Sequence, residues 1–374
     1  MENKERLASL DILRGLDLWF LLMAGPLVHC IFRTAGPGSA FGTFVEHQFD
    51  HVAWEGFAAW DIIMPLFMFM SGITIPFSMS RYKHSMRPDK KFYLRLLKRF
   101  CVLFLLGWIV QGNLLAFDFR YFHPFANTLQ AIAVGYLFSS LMFVHLRIKG
   151  QLIATALLFL TYFLAFVSTG MDLDPQTNIA MLVDKAVLGC HRDGVIWTDG
   201  GWIYDESYTY TWVLSSLNFI VTVMSGCFAG EIMLSGGMEA DKGKALRLAA
   251  VGAALTAAGL LLGLYFPVIK RIWSSSMTLY SSGICFILMS ICYYIIDVRK
   301  CRWKLDWIRY FGMNSIAAYV MGEFVDFSSV SSSFLYGLRP FLGEWYQVAV
   351  TLGNVLILFL ILRYMYVKKV FIKI

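Results

Sequence analysis

Long apolar stretches recur along the whole chain, and they constrain its fold more than any other feature. Each is long enough to cross, as a helix, a hydrocarbon core about 30 Å thick. They cover roughly residues 10–32, 56–80, 100–116, 127–144, 151–170, 210–230, 248–268, 272–296, 310–326 and 342–362. The sequence therefore predicts an all-α membrane bundle of about ten transmembrane helices.

The composition agrees with a membrane protein. The chain is 58% hydrophobic and 15% charged, whereas soluble domains carry about 25% charged residues. The first stretch is not expected to be a cleaved signal peptide, because Asp11, Arg14 and Asp17 interrupt its apolar run. With no soluble domain and no internal repeat in the sequence, we predict a single transmembrane domain over residues 1–374.

Lys and Arg are distributed unevenly between alternate loops. If the N-terminus is cytoplasmic, 24 basic residues fall on the inner side and 7 on the outer side. Cytoplasmic loops are enriched in Lys and Arg, so we predict that both termini are cytoplasmic and that His51 faces outward. The expected location is the cell (inner) membrane, with many passes. Topology also accounts for the net charge of +7, which needs no nucleic-acid partner.

The most informative polar residues lie where a water-facing segment meets an apolar one, in EHQFDHVAWEGFAAWDIIMPLFMFMSG (46–72). Asp61 falls within a predicted span, where an acid is costly unless it faces a polar cavity or a partner. Pro65 cannot donate to the carbonyl of Asp61, which leaves an acceptor at that level. A histidine held by an acid suits proton transfer, so we predict His51 and Asp61 as catalytic residues. The alternative is that Asp61 caps a helix and His51 is a solvated loop residue.

Two loops carry contrasting charge patterns. The outer loop 171–209 combines acidic and aromatic residues, as a sugar-binding lid or an ordinary interfacial loop would. The inner segment 81–99 holds eight basic residues and one acid, a pattern that suits a polyphosphate nucleotide or lipid headgroups. Both alternatives stay open for each loop.

Further polar residues lie inside the predicted spans. Asn127 and Gln130 begin the fourth span at its outer end, and Glu323 ends the ninth there, so these three could join His51. Arg14 lies near the inner end of the first span, where it could meet a phosphate. Helix bundles also use polar residues to join helices, and that interpretation applies to part of this set.

Six collinear blocks resemble the transmembrane acetyltransferase family typified by lysosomal heparan-α-glucosaminide N-acetyltransferase. They are RLASLDILRGLDL (6–18), HVAWEGFAAWDIIMPLFMFMSG (51–72), NTLQAIAVGY (127–136), LSSLNFIVTVMSGCFAGEIM (214–233), PVIKRIWSSSMTLYSSG (267–283) and GMNSIAAYV (312–320). The wording of the first two is most similar to the bacterial branch of that family. The resemblance extends from residue 6 to about residue 325.

The resemblance implies an acetyl-CoA-dependent N-acetyltransferase that passes an acetyl group from cytosolic acetyl-CoA to an amino sugar, or a sugar hydroxyl, outside. The catalytic histidine of the family lies just before the W-x-G block, and His51 occupies that position as general base or transient acetyl carrier. We predict coenzyme contacts from Arg14, Lys98, Arg99 and Asn314, and acceptor contacts from Asn127, Gln130, Lys270, Trp273 and Glu323. The predicted partners are acetyl-CoA as co-substrate, an extracytoplasmic amino sugar or glycan, membrane lipid and, in a possible homodimer, a second copy of the chain. No metal is expected.

The chain departs from the family pattern at three positions. Gly25 stands where the lysosomal enzyme has an asparagine that assists the histidine, and Gly322 where it has a histidine. Ile269 stands where the family usually has the asparagine of a P-x-N-K block, although Lys270 and Trp273 match. The resemblance therefore says less about the acceptor than about the fold.

Two other function classes stay open. A secondary transporter of a small polar solute would also have about ten helices with buried acids, and would be expected to carry inverted repeats with broken helices. A membrane O-acyltransferase acting on lipid or polysaccharide hydroxyls would share the same overall logic. Release of coenzyme A with candidate amino sugars would separate the three classes.

Overall fold

The computed structural model describes residues 7–36, 38–84, 88–112, 117–237, 240–301 and 305–372. Of the described residues, 74% are helical, and the strands in these ranges form one short hairpin, β1 (Val195–Thr198) and β2 (Gly201–Tyr204). The α-helices are α1 (Ala8–Trp19), α2 (Gly25–Ala35), α3 (Ala40–Gln48), α4 (Ile63–His84), α5 (Lys90–Val110), α6 (Thr128–His145), α7 (Ile148–Ser168), α8 (Ile179–Leu188), α9 (Ser216–Leu234), α10 (Lys242–Gly263), α11 (Ser275–Cys292), α12 (Asp306–Met313), α13 (Ser315–Phe324), α14 (Ser328–Leu335), α15 (Arg339–Leu342) and α16 (Tyr346–Val367). A π-helical turn, Phe20–Ala24, joins α1 to α2, and a 3₁₀ turn, Ala59–Ile62, leads into α4.

Eight helical segments of the described chain are long and apolar enough to cross a membrane. They are Ala8–Ala35, Ala59–Lys83, Thr128–His145, Ile148–Ser168, Ser216–Leu234, Lys242–Gly263, Ser275–Val298 and Ser328–Val367. A multi-pass, largely helical membrane protein is thereby confirmed. The tally of ten helices, the cytoplasmic placement of both termini and the inner membrane as location stay predictions.

Two of the predicted spans, 100–116 and 310–326, are not among these eight segments. The first overlaps the C-terminal half of α5, a helix whose N-terminal half is rich in Lys and Arg, and residues 113–116 lie outside the described chain. The second is divided at Asn314 into α12 and α13, which have 8 and 10 residues. Charge in one segment and a break in the other therefore separate them from the long apolar helices.

The chain divides into two compact units. The first unit comprises residues 1–52, 58–63 and 288–373. In it α1 packs closely on α12, because a Cβ at Gly15 would overlap the carbonyl oxygen of Ile308 and one at Gly312 would overlap that of Asp11. The long helix α16 packs against α2 and α14. Small residues at such contacts are what allow helices to pack closely within a membrane.

The second unit comprises residues 53–57 and 64–287. Its central helix is α9, which packs against α6 and α7 and buries Phe219, Val223 and Met224. A Cβ at Gly226 of α9 would overlap the carbonyl oxygen of Phe69 in α4. The backbones of α4 and α9 therefore approach each other directly at this glycine.

Candidate active site

The site predicted around Asp61 lies in the 3₁₀ turn that precedes α4. The Oδ2 atom of Asp61 accepts hydrogen bonds from the backbone N–H groups of Ala58 at 3.1 Å and Val52 at 3.4 Å. The side chain of Gln48, at the end of α3, accepts from the N–H of Ala59 at 3.0 Å. An acid that reaches back to the N–H before a helix is a common capping arrangement. Asp61 therefore caps the turn, as the interpretation of Asp61 as a helix cap predicts.

The same carboxylate also contacts His51, as the interpretation of the two residues as a catalytic pair predicts. The Nδ1 atom of His51 lies 2.8 Å from Oδ1 of Asp61. The side chain of Asp61 is only 1% exposed, whereas that of His51 is 39% exposed. When Nδ1–H of a neutral imidazole donates to a carboxylate, Nε2 is the basic nitrogen. This arrangement can orient His51 to accept a proton from a nucleophile at the surface.

A second imidazole–carboxylate pair lies in the same unit and was not predicted from the sequence. The Nε2 atom of His29, on α2, lies 2.8 Å from Oδ1 of Asp50. Both side chains are partly exposed. His29 lies inside the first apolar stretch, 21 residues from Asp50, so no local spacing pointed to the pair. The single available signal was an isolated histidine in a predicted span.

The indole of Trp60 lies close to both histidines. Its ring centroid is 6.4 Å from that of His51 and 6.0 Å from that of His29. Phe20 and Phe49 complete an aromatic group around it, at 5.3 and 6.2 Å. An aromatic surface beside two carboxylate-held imidazoles is the composition of a small-molecule site with an apolar body and a few polar groups.

Two of the three departures from the family pattern are explained by packing in this unit. A Cβ at Gly25 would overlap the six-membered ring of Trp60, and one at Gly322 would overlap the side chain of Leu22. An asparagine or a histidine could not be placed at these positions without moving those neighbours. The indole of Trp60 therefore excludes a side chain at the position where the lysosomal enzyme has its asparagine.

In the second unit, two of the family-like blocks are joined by backbone pairing. Glu55 forms a β-bridge with Ile269, and the N–H of Gly56 donates to the carbonyl of Val268 at 2.8 Å. Ile269 is fully buried, so an apolar side chain there is consistent with its surroundings. The Nε1 of Trp54 donates to the carbonyl of Leu173 at 3.0 Å. The W-x-G and P-x-x-K blocks are thus structural neighbours.

The predicted acceptor residues Lys270 and Trp273 lie in the turn that follows this bridge. The N–H of Trp273 donates to the carbonyl of Lys270 at 2.9 Å, and both side chains are buried. The indole N–H of Trp273 donates to Thr222 at 3.1 Å, and its carbonyl accepts from Asn218 at 2.9 Å. Trp273 is therefore held by α9, and its contact with an acceptor stays a prediction.

Asn127 and Gln130 organise the start of α6. The side chain of Asn127 accepts from the N–H of Leu129 at 2.8 Å, as an N-cap residue does. Gln130 is fully buried, and its Oε1 accepts from the N–H of Ala126 at 2.8 Å. Its Nε2 has no hydrogen-bond partner among the described residues. The two residues form one helix start, and their contact with an acceptor stays a prediction.

The predicted coenzyme residues fall in both units. In the first unit, Arg14 of α1 is half-buried. Asn314, 1% exposed, binds the backbone of the C-terminal segment: its Nδ2 donates to Val370 and its Oδ1 accepts from Ile372, each at 3.1 Å. Because these bonds use both polar atoms of the amide, the geometry favours a structural role for Asn314. Glu323, the predicted acceptor residue of this unit, is exposed near the end of α13.

On α5 of the second unit, Lys98 is exposed and Arg99 is half-buried. The guanidinium carbon of Arg99 lies 3.9 Å from the ring centroid of Tyr136, a cation–π contact. A second basic group lies within the predicted basic segment 81–99: the hydroxyl of Tyr82 accepts from the guanidinium groups of both Arg81 and Arg95. Two guanidinium groups on one phenol oxygen make a local concentration of positive charge suited to phosphate.

The loop 171–209 is more ordered than a simple solvated loop. Asp184 of α8 is fully buried and accepts from the N–H groups of Trp212 at 2.8 Å and Val213 at 2.9 Å. Burial raises the pKa of Asp184 to about 6, because the charged form loses water. Trp197 and Trp202 face each other across the hairpin. Part of the acidity predicted for a sugar lid therefore serves the fold of the loop.

Comparison with known proteins adds no identity: no protein-family model matches the chain, and no curated protein is significantly similar to it. Membership of the acetyltransferase family therefore stays a proposal based on the six blocks. Among the described residues there is also no group of three or more His, Cys, Asp or Glu side chains placed to hold a metal ion.

Proposed function

We propose that this chain is a membrane-embedded acyltransferase that passes an acetyl group from cytosolic acetyl-CoA to an amino sugar on the outer side of the membrane. The observation that carries the proposal is the pair formed by half-exposed His51 and buried Asp61, 2.8 Å apart. His51 occupies the position of the catalytic histidine in the family that the sequence resembles.

In the proposed reaction, Nε2 of His51 accepts a proton from the acceptor amine as the amine nitrogen attacks the thioester carbonyl of acetyl-CoA. The new C–N bond forms, the C–S bond breaks, and the proton passes to the departing thiolate. The products are an N-acetyl sugar and free coenzyme A. Asp61 orients the imidazole and stabilises its protonated form, as buried carboxylates do in other histidine-dependent enzymes.

The donor is proposed to enter from the cytoplasm. Support comes from the predicted sidedness of the basic residues and from the group formed by Arg81 and Arg95 on Tyr82. Together with exposed Lys98 and half-buried Arg99, these residues offer positive charge to the phosphates of the coenzyme. The acetyl group is carried on the thiol at the end of the pantetheine arm.

A single assay on the purified protein tests this proposal. Labelled acetyl-CoA is supplied with glucosamine, galactosamine and their oligosaccharides, and both N-acetyl product and coenzyme A release are measured. Product with an amino sugar supports the proposal. Acetylation of a lipid or polysaccharide hydroxyl alone would favour the O-acyltransferase, and no release with any acceptor would favour the transporter.

A further inference from the structure

The pair formed by His29 and Asp50 has no part in the proton transfer described above, yet it lies beside the same indole as His51. Ring centroids of the two histidines are 6.0 and 6.4 Å from that of Trp60. His29 holds the Oδ1 atom of Asp50 at 2.8 Å, and the carboxylate side chain remains 58% exposed. A charged acceptor of hydrogen bonds is therefore presented to solvent in a fixed place.

The surroundings of Trp60 indicate a built surface. Phe20 and Phe49 pack around the indole at 5.3 and 6.2 Å. The backbone of Gly25 packs against one edge of the indole, since a Cβ there would overlap the six-membered ring, and the side chain of Trp60 is half-buried. The turn that carries Trp60 is fixed by the bond from the N–H of Ala59 to Gln48 at 3.0 Å. The indole is thus held from several directions.

We infer that Trp60 and Asp50 form the subsite that binds the pyranose ring of the acceptor. The identity of the ligand as an amino sugar rests on the proposed function. The apolar face of a pyranose packs on the indole, and its hydroxyl groups donate to the carboxylate of Asp50 in charge-assisted hydrogen bonds. His29 is a positioning residue, because it acts through Asp50.

This arrangement gives each imidazole–carboxylate pair a different task. Asp61 is buried and orients the base, whereas Asp50 is exposed and is available to hydroxyl groups of a ligand. A ligand packed on the indole lies close to both histidines, whose ring centroids are 6.0 and 6.4 Å from that of Trp60. The site therefore selects a six-membered sugar ring, which a linear amine of the same charge cannot imitate on a flat aromatic surface.

The test measures binding and turnover separately, with the glucosamine disaccharide as the probe. Binding is measured by calorimetry on the full-length protein in nanodiscs, and KM is measured for the disaccharide and for acetyl-CoA. We expect Asp50→Asn and Trp60→Leu to weaken disaccharide binding about tenfold or more each, since the first removes a charge-assisted hydrogen bond and the second the aromatic surface. His29→Gln should weaken it less, and KM for acetyl-CoA should not change.

His47→Ala is the matched control, because His47 is an exposed histidine of neighbouring α3. His51→Ala should still bind the disaccharide, which separates binding from chemistry. If the wild-type protein acetylates the disaccharide and Asp50→Asn leaves both KM and affinity unchanged, the subsite is wrong and the function stands. If binding is sensitive to Asp50→Asn but no product forms, the subsite stands and the acyl transfer is wrong. If the wild-type protein neither binds nor acetylates the disaccharide, the subsite and the acyl transfer are both wrong. Because Asp50 is exposed, the Asp50→Asn variant should fold, so the test can be made even if Trp60→Leu does not fold.

Discussion

The Nδ1 atom of His51 lies 2.8 Å from Oδ1 of Asp61, whose second oxygen is bonded to the N–H groups of Val52 and Ala58. One carboxylate thus fixes two points of the backbone that precedes it and the ring of the histidine. A buried acid with these partners can hold an imidazole in one tautomer while the other ring nitrogen faces a substrate. The first two predictions test this division of labour.

Replacing His51 by alanine should lower the rate of acetyl transfer by about 10²–10⁴-fold, the usual contribution of a general base. Folding should be retained, because the side chain is 39% exposed. The rate is measured with saturating acetyl-CoA and amino sugar, and assembly by size-exclusion chromatography. The exposed His47, replaced in the same way, should have nearly normal activity. Wild-type turnover in a folded His51→Ala protein would show that another residue is the base.

Replacing Asp61 by asparagine should lower the rate by about 10–100-fold, since the neutral amide can still accept from backbone N–H groups but no longer stabilises a protonated imidazole. The pH–rate profile should change as well, because such a profile reports the groups that take part in proton transfer. A profile and a rate identical to wild type would contradict the assignment and leave Asp61 as a cap alone.

Replacing Gly25 by alanine should destabilise the protein by about 1–3 kcal/mol, the usual cost of overpacking, because the new Cβ overlaps the indole of Trp60. The displaced indole should also raise KM for the acceptor. Thermal unfolding and initial rates provide the measurements. Gly337→Ala serves as the control, since a Cβ at that position meets no atom within 4 Å. Equal stability of the two variants would show that the indole moves aside freely.

Charge reversal at Lys98 should raise KM for acetyl-CoA by about tenfold while leaving KM for the acceptor unchanged, because loss of a charged phosphate contact costs roughly 1.5 kcal/mol. Lys98 is exposed on α5, so the fold should tolerate Lys98→Glu. Lys149→Glu, at an exposed basic residue on the same predicted side, is the control. In vesicles of defined sidedness, coenzyme that binds only from the outside would contradict this scheme.

The unfolding free energy should depend on pH through Asp184. Burial raises its pKa in the fold to about 6, from an ordinary value of 3.8, so the folded protein binds this proton more tightly than the unfolded chain. The contribution of Asp184 to the free energy of unfolding is therefore fully present below about pH 4, and it decreases by about 3 kcal/mol as pH rises through 6. Thermal unfolding of the wild type and of Asp184→Asn between pH 4 and 7 checks this: the difference between them should grow with pH. A constant difference would contradict it.

The sequence predicts the helical membrane class well, because apolar runs long enough to span a bilayer are a direct record of burial in lipid. It also predicts that His51 lies beside Asp61, since a segment of ten residues that contains a turn can bring its two ends together. It does not reveal the break at Asn314, where the apolar composition continues from one helix into the next. The partner of Asp50 was not predicted either. His29 lies on α2, 21 residues away in sequence, and nothing in the sequence around it indicates a carboxylate partner.

The contact between Gly25 and the indole of Trp60 limits which substitutions these two positions can accept during evolution. A side chain gained at position 25 alone meets an occupied space, and an indole lost at position 60 alone leaves a void. Related chains are therefore expected to vary at these two positions together, with a small residue at one wherever a large one stands at the other. Sequences with an asparagine at the first position should accordingly carry something smaller than tryptophan at the second.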